Sequence, residues 1–261
     1  DTFNLHHYEG FERYPELYAA FRAVSAGKPL WITECARPVK WAGDDKLKEP
    51  TDADLRVQAE RVAKTFALSV HEGSVATFYF LLPHYVEGQT QFGILRPDLT
   101  PRPAFVALAA VGRLMAGAKP LGKIKSDTTQ QAYLFQVQAD GQKRRLAIAW
   151  DEAAPSEFAW PAEPEAVFDH LGREQKPSRM LGLSSAPRFL FLPNKTAELL
   201  TLIPPPAPPA QPPARLSGDA SPVVLQALWP EDQVMLDKSA CRLAADRKAT
   251  MPVWIYNFSE Q

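Results

Sequence analysis

The residue in this sequence best placed for chemistry is a carboxylate at the end of an apolar run, Leu30-Trp31-Ile32-Thr33-Glu34. The run predicts a strand that delivers Glu34 to one edge of a sheet. In an α/β barrel the C-terminal ends of the strands form the active face, so Glu34 reads as catalytic there. To act as a nucleophile it must stay ionised, oriented and partly shielded from water. A strand-terminal Glu can equally cap the next turn or pair with Arg37. The preceding apolar run, Thr2–Tyr8, ends in His6-His7-Tyr8 and offers hydroxyl and imidazole partners. Side chains alternate along a strand. The partners are therefore either His6 and Tyr8 together, or His7 alone, and we adopt the pair.

The elements that would position these groups follow a regular order. Tyr14–Ala26 carries Leu17, Ala20, Phe21 and Val24 on one helical face, with Gly27 at the stop position. A polar loop, Cys35–Pro50, leads to a helix from Thr51, which is placed to act as N-cap with Asp54 at the capping-box position. Leu55, Val62, Phe66 and Val70 share its apolar face, and Gly73 closes it. Ser74–Leu82 is a third strand and Pro103–Met115 a third helix. This β-α-β-α-β-α order implies parallel strands with right-handed crossovers. Three units cannot close a barrel, so either further units precede Asp1 or the piece is a small open layer. Near Lys119 the pattern changes. Ala132–Ala139 and Arg144–Trp150 flank an Asp140-Gly141 turn, and Ala166–Phe168 and Phe189–Leu192 add short strands. Strands without amphipathic helices predict an antiparallel β-sandwich. Ile203–Ala214 is a proline tract expected to be extended, and Val223–Leu228 and Pro252–Phe258 resume strand-like runs.

Taken together these segments resemble the C-terminal part of clan A glycoside hydrolases, the 4/7 superfamily of retaining (β/α)8 enzymes, most nearly the β-xylosidase and iduronidase-like branch. Phe3-Asn4-Leu5-His6-His7-Tyr8 is similar to strand six with its His-x-Tyr signature, and Pro29–Glu34 to strand seven with its terminal nucleophile. Val75–Leu82 stands for strand eight. Phe92-Gly93-Ile94-Leu95 and Asp98–Phe105 resemble the stretch leading into the last barrel helix. Val167–Gly172 and Phe189–Pro193 resemble strands of the accessory domain.

The resemblance implies an α/β fold: a partial (β/α)8 barrel, strands six to eight with their helices, over residues 1–117. It also fits an accessory β-sandwich over 118–202; the proline tract and the strand-like runs after it add, from the residues themselves, a Pro-rich linker over 203–221 and the start of a further β domain, truncated, over 222–261. The resemblance implies a retaining glycosidase with Glu34 as nucleophile and Tyr8 and His6 beside it. The parent would be extracellular or periplasmic and act on a carbohydrate substrate. The acid/base Glu of the family lies on strand four, outside this chain, so the chain alone is expected to be inactive. The family's strand eight usually ends in a Trp. Here the sequence runs Phe78–Tyr85, so either Tyr85 takes that place or the pocket differs. Without the opposite wall of a barrel, Phe3, Leu5, Ile32, Phe78 and Phe80 are expected to be partly exposed. A non-catalytic carbohydrate-binding or cell-surface protein built on a barrel-derived domain is the alternative.

Trp41, His84 and Tyr85 fall on the loops after the second and third strands and are candidate substrate-binding residues, since sugar rings stack on aromatic rings; simple loop packing is the other reading. Glu9, Glu12, Asp44, Asp45 and Glu87 read as solvated loop acids. His71, at a helix C-terminus, suits the helix dipole. Trp150 and Trp160 read as core. Cys35 and Cys241 read as unpaired thiols. No Cys/His spacing fits a metal and no Gly-rich phosphate loop occurs, so neither a metal nor another cofactor is expected. A formal net charge of −1 gives no electrostatic reason for nucleic acid as a partner. No run approaches the roughly 20 apolar residues of a membrane span. Oligomeric state is not legible.

Overall fold

A computed structural model describes residues 2–8, 10–41, 49–208, 223–228 and 250–257. The chain forms two compact units, Asp1–Pro212 and Pro213–Gln261.

The first unit opens with strands β1 (Phe3–His7) and β2 (Leu30–Cys35), separated by helix α1 (Tyr14–Val24). Ala26 and Gly27, with φ of 52° and 74°, turn the chain out of α1. After the short strand β3 (Val39–Lys40) comes helix α2 (Asp52–His71), then β4 (Ser74–Tyr79). The Thr51 hydroxyl accepts the Asp54 backbone N–H at 3.2 Å and donates to the Asp54 carboxylate at 2.7 Å, which starts α2 where the sequence places it. Two-residue strands β5 (Val86–Glu87) and β6 (Thr90–Gln91) precede helix α3 (Pro103–Leu114). β1, β2 and β4 form a parallel sheet in that order.

Leu5 and Ile32 are buried, contrary to the expectation of partial exposure. They sit in one core with Tyr14, Tyr18, Val62 and Ala63 of the helices. The alternation that turns His6 toward Glu34 turns Leu5 to the opposite, helix-covered face. Phe78 is 51% exposed, and Phe3 and Phe80 are partly buried.

Antiparallel strands follow: β7 (Lys119–Ile124), β8 (Gln131–Val137), β9 (Arg144–Trp150), β10 (Ser156–Ala159), β11 (Ala166–Asp169), β12 (Glu174–Gln175), β13 (Met180–Leu183) and β14 (Arg188–Leu192). The short helix α4 (Asn194–Glu198) and strand β15 (Leu202–Ile203) complete the series. Seven of them form one sheet in the order β12-β11-β14-β9-β8-β7-β15, and β10 pairs with β13 separately. Tyr133, Phe135, Leu146, Ile148, Trp150, Phe189 and Phe191 face the core shared with α2 and α3. Their neighbours Leu134, Ala147, Ala149, Leu190 and Leu192 pack instead with Trp160, Leu181 and Leu183. Both faces are thus covered, which is why Leu146–Trp150 reads as an unbroken apolar run. Trp150 and Trp160 are fully buried. Asp169 Oδ1 accepts the Leu171 and Arg173 N–H groups, and Gly172 (φ 78°) closes that turn against Ala110.

Pro204–Pro208 has no regular secondary structure. The rest of the proline tract, Cys241, Glu9, Asp44 and Asp45 lie outside the described residues, as does most of 222–261. Within the second unit, β16 (Val223–Ala227) and β17 (Val253–Asn257) pair antiparallel, with Leu225, Trp254 and Ile255 exposed. Among the described residues, no helix is long and apolar enough to cross a membrane.

Candidate active site

Glu34 lies in the last turn of the pleat before the C-terminal end of β2, with His6 of β1 as its register partner. The pairing of the two strands shifts register between Leu5 and His6. The Tyr8 hydroxyl donates to Glu34 Oε2 at 2.7 Å, and His6 Nδ1 lies 3.0 Å from the same oxygen. Glu34 Oε1 has no hydrogen-bond partner among the described residues, and the Glu34 side chain is 29% exposed. Burial, then the hydrogen bond and charge of Glu34, raise the Tyr8 hydroxyl well above the usual tyrosine range, with smaller pushes from Cys35 and Glu87. Tyr8 is therefore a permanent donor to the carboxylate at ordinary pH.

His7 faces the other way. It is buried with its ring 4.4 Å from Tyr14 and 5.8 Å from Tyr18. Arg37 makes no ion pair with Glu34 among the described residues. Cys35, next to the carboxylate, is buried, and burial pushes its thiol up to about 12, so it is no nucleophile.

The loops after β2 and β4 are tied into a rim by a second small sheet, in the order β3-β6-β5. The Trp41 N–H donates to the Gln89 carbonyl at 2.7 Å, and the Trp41 ring stands edge-on to His84 at 5.8 Å. Tyr85 packs elsewhere on the rim, 6.1 Å from Phe80 and 6.0 Å from Phe92. Phe80 and Phe92 in turn lie 6.4 and 5.8 Å from Tyr8. An aromatic patch thus runs from the Tyr8–Glu34 pair to Tyr85, while Trp41 and His84 form a second pair.

Beneath the rim, three buried residues hold its shape. Gly93 has Pro83 so close that an added Cβ would sit 2.0 Å from the Pro83 carbonyl oxygen, which excludes every other residue. Arg102 is fully buried and donates to the Gly93 and Leu95 carbonyls at 2.9 and 2.7 Å while pairing with Glu49 at 3.1 Å. Gln91, also fully buried, accepts the Gly93 N–H at 2.7 Å through Oε1. Sequence reasoning did not name Phe80, Phe92, Gln91 or Arg102 as site residues. The signal for Arg102 was its place in Asp98-Leu99-Thr100-Pro101-Arg102-Pro103: Asp98 accepts from the Thr100 backbone and hydroxyl, and Pro103 starts α3. Two prolines around a single cation fix a tight entry and leave the guanidinium pointing inward.

His71 is a correction. It is buried against Tyr133 at 4.9 Å, and burial first, then Lys123 and Arg22, lower its pKa to about 4. Desolvation outweighs the helix dipole, and the residue is a neutral packing element. Among the described residues no group of three or more His, Cys, Asp or Glu side chains is placed to hold a metal ion.

No protein-family model matches the sequence, and no curated protein matches it. The chain is similar to the solved structure of a family 39 glycoside hydrolase from the gut symbiont Bacteroides cellulosilyticus WH2, with 21% sequence identity and a TM-score of 0.52. The match covers 69% of this chain and 38% of that one. The likeness is one of fold, and this chain spans well under half of the length of the structure it matches.

Proposed function

We propose that this chain carries the nucleophile-bearing part of a retaining glycoside hydrolase, with β1, β2 and β4 as strands six to eight of a (β/α)8 barrel and β7–β15 as its accessory β-sandwich. The observation that carries this reading is the convergence of the Tyr8 hydroxyl and His6 Nδ1 on one oxygen of Glu34 at the end of a parallel strand. The fold likeness to a family 39 glycoside hydrolase supports it. In the proposed first step, a Glu34 oxygen forms a bond to the anomeric carbon as the glycosidic C–O bond breaks. The departing oxygen takes its proton from a second carboxylic acid about 5 Å away. Water then attacks the glycosyl ester, giving its proton to that second carboxylate and freeing Glu34. Tyr8 and His6 hold the carboxylate in register while leaving Oε1 open. The second carboxyl belongs to another part of the parent, so this chain alone is expected to be inert on glycosides. An extracellular or periplasmic setting fits a polysaccharide substrate.

The test is covalent trapping on the full-length natural protein with 2-deoxy-2-fluoro glycosides bearing a good leaving group. A glycosyl ester on Glu34, seen by peptide mass spectrometry and absent in Glu34→Gln, is the expected result. An active enzyme labelled on another residue would overturn the assignment. A protein that binds sugars but never turns them over would move the reading to a non-catalytic carbohydrate-binding protein.

A further inference from the structure

We propose that Gln91 is a positioning residue that keeps the His84 proton on Nε2, so that His84 presents a fixed N–H donor to a hydroxyl of the sugar held against Trp41. The inference rests on the glycosidase reading of the site and specifies how its rim would grip substrate.

The Gln91 side chain is fully buried, and its Oε1 accepts two backbone N–H groups, Gly93 at 2.7 Å and Tyr85 at 3.3 Å. Its amide therefore cannot flip without placing NH2 against two donors. That leaves Nε2, a donor only, 2.9 Å from His84 Nδ1. Arg102 Nη2, from a group that can only donate, lies 3.4 Å from the same nitrogen. Two donors on Nδ1 require its lone pair, so the neutral ring carries its proton on Nε2. The charged ring, with protons on both nitrogens, would face two donors. Burial and the Arg102 charge also lower the His84 pKa, against an opposing pull from Glu49. His84 is a partly exposed side chain whose Nδ1 is turned to the buried Gln91 and Arg102, so Nε2–H, across the ring, points away from them. Trp41 stands at its side. A ring for the sugar's apolar face and an oriented donor for a hydroxyl together make a built subsite, and the donor persists across the neutral pH range.

The tautomer is read directly by long-range 1H–15N correlation spectra of the 15N-histidine-labelled chain, with the His84 signals assigned by their loss in His84→Gln. The expected pattern at pH 7 is an unprotonated Nδ1 and a protonated Nε2. In Gln91→Glu, which preserves the acceptor for the backbone N–H groups but replaces the donor with an acceptor, the proton should move to Nδ1. A wild-type His84 with Nδ1 protonated, or an unchanged pattern in Gln91→Glu, overturns the positioning role. The sugar contact is tested by kinetics of the full-length natural protein on 4-nitrophenyl β-xyloside, β-glucoside and β-galactoside. Loss of one oriented hydrogen bond in His84→Ala and Gln91→Glu should raise KM about tenfold on a turned-over substrate with little change in kcat. His84→Gln, whose amide N–H reaches a similar position, should recover most of it. An unchanged KM in both variants overturns the sugar contact. Failure of the wild type to hydrolyse any glycoside would sink the glycosidase reading and the contact with it, while the tautomer result would still stand or fall by the spectra.

Discussion

Arg102→Met tests whether the rim is held from beneath. Met keeps much of the stem volume and removes every donor. Two carbonyls, Gly93 and Leu95, lose a charged donor at 2.9 and 2.7 Å, each contact worth about 1.5–3 kcal/mol. The pair with Glu49, whose side chain is 28% exposed, adds no more than about 1 kcal/mol because water screens it. Against this, Met is spared the desolvation of a fully buried guanidinium, which returns part of the loss. The net expectation is a destabilisation of about 3 kcal/mol. It should be concentrated in the segment that Arg102 holds. The Ile94 and Leu95 amides, bonded to the Leu82 carbonyl at 3.2 and 2.8 Å, should exchange with solvent on the order of 100-fold faster. Urea unfolding followed by tryptophan fluorescence gives the global value, and native-state hydrogen exchange gives the local one. Arg96→Met, a partly exposed neighbour that also reaches Glu49 and donates to the Pro101 carbonyl at 2.6 Å, is the control and should cost clearly less, about 1 kcal/mol, because water screens its contacts. A loss in Arg102→Met no larger than in Arg96→Met, with Ile94 and Leu95 protection unchanged, would refute the account.

Three further outcomes are expected. Tyr8→Phe in the full-length natural protein removes the 2.7 Å bond to Glu34 and should lower kcat roughly 10- to 100-fold, as a charge-assisted hydrogen bond of this length implies; an unchanged kcat would show that Tyr8 only packs. His71 binds its proton near pH 4 when folded and near pH 6.5 when unfolded, so between these values the unfolded chain holds more protons and stability falls as pH drops. The fall should reach about 2–3 kcal/mol by pH 4 and vanish in His71→Phe, measured as the pH dependence of urea unfolding; parallel curves for the two proteins would exclude His71 as its source. Phe135→Ala, fully buried in the core shared by sheet and helices, should cost about 3–5 kcal/mol in the same assay, and a cost under 1 kcal/mol would mean the site collapses freely.

Much of the local structure was legible because it is written in short-range chemistry. Thr51 and Asp54 mark the start of α2, Pro103 the start of α3, and Gly27 and Gly73 lie just past the ends of α1 and α2. Alternation along β1 narrowed the partners of Glu34 to His6 with Tyr8 or His7 alone, and it also shows why Leu5 faces the helices; on β2 the pairing is irregular between Ile32 and Cys35, which alternation could not foresee. What was not legible depends on partners distant in sequence. β3, β5 and β6 are two residues each and exist only through one another. Gln91 and Arg102 look like ordinary loop residues, and their roles come from carbonyls and N–H groups brought to them by the fold. The strands β7, β10 and β13 are interrupted by Gly, Pro or polar residues, and pairing rather than pattern defines them.

The core that joins Tyr18, Ala63 and Leu114 of the helices to Phe135, Trp150 and Phe189 of the large sheet is continuous. A crossover between genes at residues 117–118 would therefore not exchange one module for another. It would set an unmatched row of aromatic side chains against α2 and α3 and leave both halves short of their inner contacts. Descendants of this protein should thus inherit the helical and antiparallel halves as a single block, with substitutions on one side of the seam answered by substitutions on the other. Trade in whole domains should be confined to the chain beyond Pro212, where the second compact unit begins.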